Sequence, residues 1–443
     1  MDIKELSAIL KNNGIVGAGG AGFPTYAKLD ERCETIILNC AECEPLLKLH
    51  RQLLRDYAYE ILTALNLIGE TLGAKELIIG VKAIYKETIE AINENIDSFK
   101  NMKISLLEDV YPMGDEVVLV YETTKKVVRP GGIPIELGII VINVETCYNV
   151  YKAVFDNECV TDKLISVVGE VKNPMTIRLP IGSTVKDAIL LAGGITVDNP
   201  GYYLGGLMTG KAGNENSVIT KTSNAIIVLP INHYVFEKNK NFNSSIEIKR
   251  AAASCCQCQM CTDLCPRNLL GHPIKPNLFM QATTCKDIQQ KNTFLDTFFC
   301  CSCGLCELYS CFQGLSPRTL ITQYKTQLSA SGIRPSKTAV LKEVSNAREL
   351  RKVPDDRLKS RLNILKYENA APINNDVAVI KKVKIMLSQH IGAPAIANVK
   401  KGDNVEKGVI IADAGNGLSV NIHASISGQV IEVNDKFIII QSK

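Results

Sequence analysis

The sequence predicts a multidomain chain of α/β and α+β character, with a cysteine-rich helical module and a C-terminal all-β domain. Strand-like and helix-like segments alternate over residues 1–157, which favours a mostly parallel sheet. Eleven of the sixteen cysteines fall between Cys255 and Cys311, most of them in two closely spaced runs. Residues 380–443 are rich in Val, Ile and Gly with frequent turns, which is typical of short β-strands.

Residues 1–157 are predicted to form a Rossmann-like domain. An amphipathic helix over residues 2–13 is followed by a glycine-rich loop at 17–24. Parallel strands need crossover connections, so the alternation indicates helices packed on a buried sheet. The predicted strands are 35–39, 77–81, 104–107 and 138–144, and the predicted helices are 46–72, 84–97, 114–125 and 146–155.

The other boundaries follow from changes in composition. Residues 158–235 combine short strands with one helix over 184–192, so we expect a small α+β module. The polar stretch 237–245 is predicted to be a linker into a cysteine module at 246–325. A basic helical linker over 326–379 then leads to the all-β domain at 380–443.

The two cysteine runs predict a pair of iron–sulfur clusters. The first has the C-x2-C-x2-C-x3-C-P spacing of bacterial two-cluster ferredoxins, in which the fourth cysteine binds the partner cluster. The second repeats this spacing with one extra residue before its last cysteine and no proline after it. We therefore expect Cys265 and Cys311, the fourth cysteines of the two runs, to be exchanged, so that each binds the cluster held by the other run. The predicted ligands are Cys255, Cys258, Cys261, Cys265, Cys300, Cys303, Cys306 and Cys311.

Zinc is the alternative for these cysteines. Structural zinc sites usually use two separated C-x2-C pairs, whereas here three closely spaced cysteines and a fourth recur twice. Soft thiolate donors in that pattern favour two [4Fe–4S] clusters, which transfer electrons. Cys256 and Cys301 stand beside ligands and are expected to be spare thiols.

The glycine-rich loop has two interpretations. Gly17-x-Gly19-x-x-Gly22 matches the dinucleotide-binding pattern, but a helix rather than a strand precedes it. It could be a flexible turn. Alternatively, its glycines allow the backbone N–H groups to approach a phosphate closely.

Four segments resemble the NADH-oxidising flavoprotein subunit of respiratory complex I. They are Gly17-Ala-Gly-Gly-Ala-Gly-Phe-Pro-Thr-Tyr-Ala-Lys28, Asn39-Cys-Ala-Glu42-Cys-Glu44-Pro45, Gly114-Asp115-Glu116 and Asn143-Val-Glu-Thr146. Ala18 and Ala41 depart from that family, which has an arginine and an acidic residue there. The resemblance implies that Glu44 and Glu116 lie near the nicotinamide nucleotide of NADH. It also implies an FMN site lined by Gly17, Gly19, Gly20, Gly22, Lys28, Asn39, Glu42, Gly114 and Asn143.

Two further modules carry resemblances. Residues 164–230 resemble the soluble-ligand-binding β-grasp (SLBB) domain that follows that flavin domain, and a scaffold role is expected for it. Residues 389–428 resemble a barrel-sandwich hybrid domain of the biotinyl/lipoyl type. A carrier domain of that type needs a lysine at its hairpin tip, and Ala412-Asp-Ala-Gly-Asn-Gly offers none. We therefore expect a docking or packing domain.

The order of these modules resembles the cobalamin reductases of propanediol-utilisation microcompartments. That family implies transfer of electrons from NADH through FMN and two [4Fe–4S] clusters to a corrinoid such as cobalamin. It also implies a corrinoid adenosyltransferase and microcompartment shell proteins as partners. The alternatives are an electron-relay subunit of a larger complex, similar to the RnfC protein of the Rnf ion-pumping complex, and an adaptor whose flavin domain is vestigial.

Composition excludes other classes. A net charge of +4 on 96 charged residues is nearly balanced, so no nucleic-acid partner is expected. Apolar runs fall far short of the ~20 residues that span a bilayer. The first residues lack the pattern of a signal peptide, and clustered free cysteines suit a reducing compartment. We therefore expect a cytoplasmic protein, within a microcompartment if the family resemblance holds.

Overall fold

A computed structural model describes residues 1–240, 242–285, 290–335 and 339–442. One residue of the predicted linker 237–245, three of the predicted linker 326–379 and Lys443 lie outside this range. No described helix is long and apolar enough to cross a membrane.

The first domain is a parallel sheet covered by helices. Its elements are α1 (Ile3–Asn12), β1 (Thr35–Cys40), α2 (Leu49–Asp56), α3 (Ala58–Leu72), β2 (Glu76–Lys82), α4 (Lys86–Ile96), β3 (Met102–Leu107), β4 (Val110–Tyr111), α5 (Glu116–Thr124), β5 (Ile139–Asn143) and α6 (Val144–Phe155). All four strands of the sheet pair in parallel, in the order β3-β2-β1-β5. The central strand β1 is largely apolar, with Ile36, Ile37 and Leu38 fully buried, because helices cover both faces.

The strand order creates a crevice at one edge of this sheet. The chain runs outward from β1 to β2 and β3 on one side and returns to pair β5 on the other. In open α/β sheets, ligands bind at the carboxyl ends of the strands where the order reverses in this way. Asn39 and Asn143 are register partners at that edge, so the sheet itself brings two predicted site residues together.

The second domain and the cysteine module follow. The β-grasp-like part comprises β6 (Asp162–Gly169), β7 (Met175–Pro180), α7 (Val185–Leu191), β8 (Pro200–Leu204), β9 (Lys211–Gly213) and β10 (Ala225–Pro230). The helical part comprises α8 (Tyr234–Lys240), α9 (Ser244–Ser254), α10 (Met260–Asp263), α11 (Pro266–Leu269), α12 (Pro276–Cys285), α13 (Lys291–Leu295) and α14 (Pro317–Ala330).

The remaining elements are mostly strands. They are β11 (Val353–Pro354), α15 (Asp355–Arg361), β12 (Ile373–Val377), β13 (Lys382–Met386), β14 (Ile396–Ala397), β15 (Asn404–Val405), β16 (Ile410–Asp413), β17 (Ile422–His423), β18 (Gly428–Val433) and β19 (Phe437–Gln441). From β13 onward they form an antiparallel sheet ordered β13-β19-β18-β15 and a smaller sheet ordered β14-β16-β17. Apolar side chains such as Val383, Ile411 and Ile438 fill the core between them.

The predicted linkers are more structured than the sequence indicated. Helices α8 and α9 extend into the polar stretch from both sides, and Lys238 Nζ donates to Gly314 O (2.9 Å) in the cysteine module. Between 326 and 379, the strand β11 pairs with β4 and β12 joins the β-grasp sheet beside β7, so this segment is not simply helical. Some of its basic residues form ion pairs with the first domain, as in Arg348–Glu122 (2.6 Å).

Candidate functional site

A cavity of about 400 Å³ lies at the carboxyl edge of β1 and β5, where the strand order reverses. It is lined by every residue predicted for the FMN and nucleotide sites, although these residues are widely separated along the chain. They are Gly17, Gly19, Gly20, Gly22, Lys28, Asn39, Glu42, Glu44, Gly114, Glu116 and Asn143. The structure therefore brings the predicted set together, while the contacts of each residue with a ligand stay predictions.

The glycine loop is docked against the first turn of α6. Ala18 N–H donates to Thr146 Oγ1 (3.0 Å), and Gly17 N–H donates to Phe23 O (2.9 Å). Gly20 and Gly22 have φ of +59° and +65°, which favours glycine. Within the described residues, no hydrogen bond uses the N–H groups of residues 19 to 21. Such free amides beside a helix N-terminus form an anion site.

Close neighbours explain why glycines are required at two positions. A Cβ atom on Gly22 would lie 2.5 Å from Thr222 Cγ2, and one on Gly114 would lie 2.6 Å from Ala41 O. The missing side chains therefore allow the loops to approach one another closely.

Hydrogen bonds fix the loops at the mouth of the crevice. Asn39 Nδ2 donates to Gly114 O (3.1 Å), while Asn39 Oδ1 accepts from Ala41 N–H (3.1 Å). Lys28 Nζ donates to Val141 O (3.0 Å) and lies 3.5 Å from Glu116 Oε1. Asn39 and Lys28 therefore line the cavity wall and also hold the surrounding backbone segments together.

The two half-buried carboxyl groups of the cavity, Glu42 and Glu44, have different surroundings. Glu42 Oε1 accepts a long bond from His50 N–H (3.5 Å), and its Oε2 has no partner among the described residues. Glu44 accepts from Met208 N–H (3.0 Å) and from the Thr209 hydroxyl, both in the β-grasp domain. Burial raises the pKa of both carboxyl groups. Glu44 is therefore tied to the second domain, which its predicted place near the nicotinamide did not imply.

Several polar atoms on the cavity wall lack partners. Burial lowers the pKa of His50 to about 3, so this ring is neutral, and its Nε2 has no described partner. A buried polar group without a partner is costly, which indicates that a ligand completes the site. FMN, with a phosphate, hydroxyl groups and a polar ring edge, fits this donor set. The buried atoms of this wall that lack described partners are Thr25 Oγ1, Glu42 Oε2, His50 Nε2 and Asn224 Oδ1.

The cysteines form two smaller cavities, and each contains the fourth cysteine of the other run. Cys255, Cys258 and Cys261 share one cavity with Cys311. The other cavity holds Cys265 with Cys300, Cys303 and Cys306. Cys256 and Cys301 also lie on these walls, each beside a predicted ligand. This is the arrangement that exchange of the fourth ligands requires.

The two runs share a loop conformation and differ where the second has its extra residue. Gln257 and Ser302 occupy equivalent positions with φ of +54° and +58°. The first run continues into the α-helical turn α10, whereas residues Leu305–Tyr309 form a π-helical turn closed by Ser310 N–H to Leu305 O (2.8 Å). A π-turn accommodates one additional residue, so Cys311 still reaches its cavity despite the longer spacing.

No group of three or more His, Cys, Asp and Glu side chains in the described part of the chain converges on a single metal ion.

Hydrogen bonds and an ion pair link the cavity of Cys265, Cys300, Cys303 and Cys306 to the surroundings of the larger cavity. Arg318 donates to the carbonyl oxygen of Met208 (2.7 Å), and the backbone N–H of Met208 donates to Glu44. The Tyr111 hydroxyl donates to Cys303 O (2.6 Å), and Arg267 is paired with Asp115 (2.9 Å), the neighbour of Glu116. Neither cysteine cavity has a described wall residue from the first domain, so the link to that domain consists of these hydrogen bonds and the ion pair.

Comparison with known proteins agrees with this organisation. Four family models match in order: the Nuo51 FMN-binding domain (residues 10–152), the SLBB domain (164–212), a 4Fe-4S dicluster domain (254–316) and the RnfC barrel sandwich hybrid domain (365–443). Cobalamin reductase PduS of Salmonella typhimurium is 34% identical over 98% of this chain and 96% of that protein. This chain belongs to the PduS cobalamin reductase family. PduS of Citrobacter freundii is 33% identical over 99% and 96%.

Membership of the PduS family confirms the predicted fold class and cofactors. The chain is an oxidoreductase with FMN and two [4Fe–4S] clusters. An RnfC-like relative, from the proton-translocating ferredoxin:NAD(+) oxidoreductase complex of Clostridium ljungdahlii, is 29% identical over 67% of this chain and 63% of that protein. The relay alternative is thus less well supported than the PduS relationship.

Four polar wall residues of this PduS family member were missed by the sequence interpretation. Thr25 and Thr146 stood inside segments of the family resemblance and could have been found there. His50 lies on α2, where its position gave no signal. Asn224 belongs to the β-grasp domain, for which a scaffold role was expected, and only the packing of the two domains brings it to the cavity.

Proposed function

We propose that this chain is an NADH-dependent cobalamin reductase. Relatives named cobalamin reductase match nearly the whole chain. The observation that carries the proposal is the chain of hydrogen bonds that links the FMN cavity to one cysteine cavity, through Glu44, Met208 and Arg318. Such a link lets a two-electron donor and a one-electron acceptor communicate within one protein.

The residues of the cavity have distinct roles in this proposal. Bound FMN would supply a hydride acceptor for NADH and a donor of single electrons. The free N–H groups of the glycine loop and the N-terminus of α6 hold the phosphate. Burial raises the pKa of Glu42, and its Oε2, which has no described partner, is available to bond the ligand. Glu44 and Glu116 face the nicotinamide nucleotide.

The two clusters have an order in this proposal. Cys265, Cys300, Cys303 and Cys306 hold the cluster nearer to FMN, since hydrogen bonds and an ion pair link their cavity to the flavin domain. Cys255, Cys258, Cys261 and Cys311 hold the outer cluster. Cys256 and Cys258 are exposed, so the outer cluster would be the one that gives electrons to the corrinoid.

The proposal extends to the cellular setting. We place the chain in the cytoplasm, inside a bacterial microcompartment, with shell proteins and a corrinoid adenosyltransferase as partners. The adenosyltransferase would consume the reduced corrinoid. Co-purification of the chain with intact microcompartments tests this part separately.

Anaerobic titration of the cluster-loaded, FMN-loaded protein with NADH, followed by visible spectroscopy, tests the enzymatic part. We expect NADH to bleach the flavin and clusters, and added cob(III)alamin to reoxidise them while becoming reduced. Reduction of an artificial acceptor without reduction of cobalamin would favour the relay alternative. Failure of NADH to bleach bound FMN would contradict the assigned donor.

A further inference from the structure

We propose that Asn224 of the β-grasp domain is a ligand of the FMN phosphate. The inference rests on FMN occupying the cavity described above. It assigns a binding role to a domain for which only a scaffold role was expected. Among the described residues on the cavity wall, Asn224 alone comes from outside the first domain.

The position of the Asn224 amide is defined by its neighbours. A Cβ atom on Gly19 would lie 2.8 Å from Asn224 Nδ2 and 3.8 Å from Asn143 Nδ2. Two amide groups from different domains therefore converge on the same glycine. Asn224 Oδ1 is buried without a described partner, which leaves it free to accept from a hydroxyl group such as those of the ribityl chain.

The corner of the cavity around Gly19 suits a phosphate. It contains the free N–H groups of residues 19 to 21 and the N-terminus of α6, where the Asn143 side chain makes no capping bond. Helix α6 has twelve residues, so its N-terminus carries a partial positive charge. Each of these groups is a hydrogen-bond donor, and a phosphate is an acceptor.

The two nearby lysines are already engaged. Lys28 contacts Val141 O and Glu116, and Lys221 Nζ donates to Gly14 O (2.7 Å). Ala18 stands where the complex I loop has an arginine. Asn224 thus supplies a neutral donor from another domain to a loop that lacks a cation of its own.

The backbone around Asn224 is held firmly. Asn224 O accepts from Ser166 N–H (3.0 Å), and the preceding turn is closed by Ser223 N–H to Thr220 O (3.1 Å). The amide is therefore presented by the β-grasp sheet rather than by a free loop. FMN binding and the docking of the two domains should stabilise one another.

Fluorescence titration of the flavin-free, cluster-loaded full chain with FMN and with riboflavin tests the proposal. The variants are Asn224→Ala and the nearly isosteric Asn224→Asp, and the control is Asn216→Ala, an exposed asparagine of the same domain. Loss of one charge-assisted bond should weaken FMN binding about tenfold in Asn224→Ala, with riboflavin affected no more than about threefold. Asn224→Asp should weaken FMN further, because it places a carboxylate beside the phosphate.

Unchanged FMN binding in both variants, or an equal loss for FMN and riboflavin, would overturn the assignment. The absorbance of the clusters shows whether each variant is folded. If Asn224→Ala fails to fold, the FMN and riboflavin affinities of Asn224→Asp alone decide the test. Wild-type protein that bound no FMN would instead contradict the proposed function of the cavity, so the two failures are distinguishable.

Discussion

Exchange of the fourth cysteines makes a prediction that pairs of substitutions can test. If each cavity holds one cluster, Cys255 and Cys311 bind the same cluster, although they lie in different runs. Cys255 and Cys265 lie in one run but bind different clusters. The informative comparison is therefore Cys255→Ala/Cys311→Ala against Cys255→Ala/Cys265→Ala.

The expected magnitude is one whole cluster. Two [4Fe–4S] clusters contain about eight iron atoms per chain. The Cys255→Ala/Cys311→Ala protein should keep about four, because both changes damage the outer cluster only. The Cys255→Ala/Cys265→Ala protein should approach zero, because it damages both clusters.

Anaerobic reconstitution followed by iron and sulfide determination and electron paramagnetic resonance measures this difference. Cys256→Ala is the matched control, because that thiol lies beside a ligand in the same loop and should keep about eight iron atoms. The opposite result would show that the ligands are not exchanged: Cys255→Ala/Cys265→Ala, with both changes in one run, would keep half the iron, and Cys255→Ala/Cys311→Ala would keep none. That result would also remove the role assigned to the π-turn before Cys311.

Three further predictions concern packing and charge. Gly22→Ala and Gly73→Ala each place a methyl group on a backbone with nearly the same φ (+65° and +66°). Only the methyl group at position 22 would meet a neighbour, Thr222 Cγ2 at 2.5 Å. FMN titration should therefore show a loss of affinity for Gly22→Ala alone. Lys163→Met leaves Glu145 buried without its ion pair, so urea unfolding of the flavin domain should show a loss of about 3–5 kcal/mol, largely recovered in Lys163→Met/Glu145→Gln. Burial lowers the pKa of Lys221 to about 7 from its ordinary value of 10.5. Between these two pH values, Lys221 is protonated in the unfolded chain but largely deprotonated in the folded chain, so the free energy of unfolding rises with pH in this range. Lys221→Met should flatten that rise in the unfolding midpoint between about pH 7 and pH 10.5, and an unchanged slope would contradict the assignment.

Local spacing explains which features the sequence could predict. The cysteine runs are contiguous patterns, so their chemistry is visible without a fold, whereas the glycine loop was open to two interpretations until the family resemblance was considered. The alternation of apolar strands and helices likewise predicted the first domain closely, because a sheet buried on both faces requires long apolar runs. One break was missed: the helix expected over 46–72 is interrupted at Tyr57, between α2 and α3.

Charge misled the prediction for residues 326–379. A basic, polar segment was interpreted as a helical linker, but its residues form ion pairs and short strands against two other domains. Lys352 contacts Glu122 (3.2 Å), and Ile373 pairs with Thr176 in the β-grasp sheet. Strand pairing between segments so far apart in the chain leaves no local periodicity from which it could be predicted.

The sequence by itself indicated the iron–sulfur clusters through cysteine spacing, and its family resemblance implied FMN, the order of the modules and half of the cavity wall. Only the tertiary structure decided which cysteines share a cavity, which cavity is linked to the flavin domain, and that Glu44 and Asn224 join the first two domains. Those relations depend on how separate elements pack, and packing depends on shape and burial along the whole chain. The extra residue before Cys311 illustrates the difference: its presence is plain in the sequence, but the π-turn that absorbs it exists only in the fold.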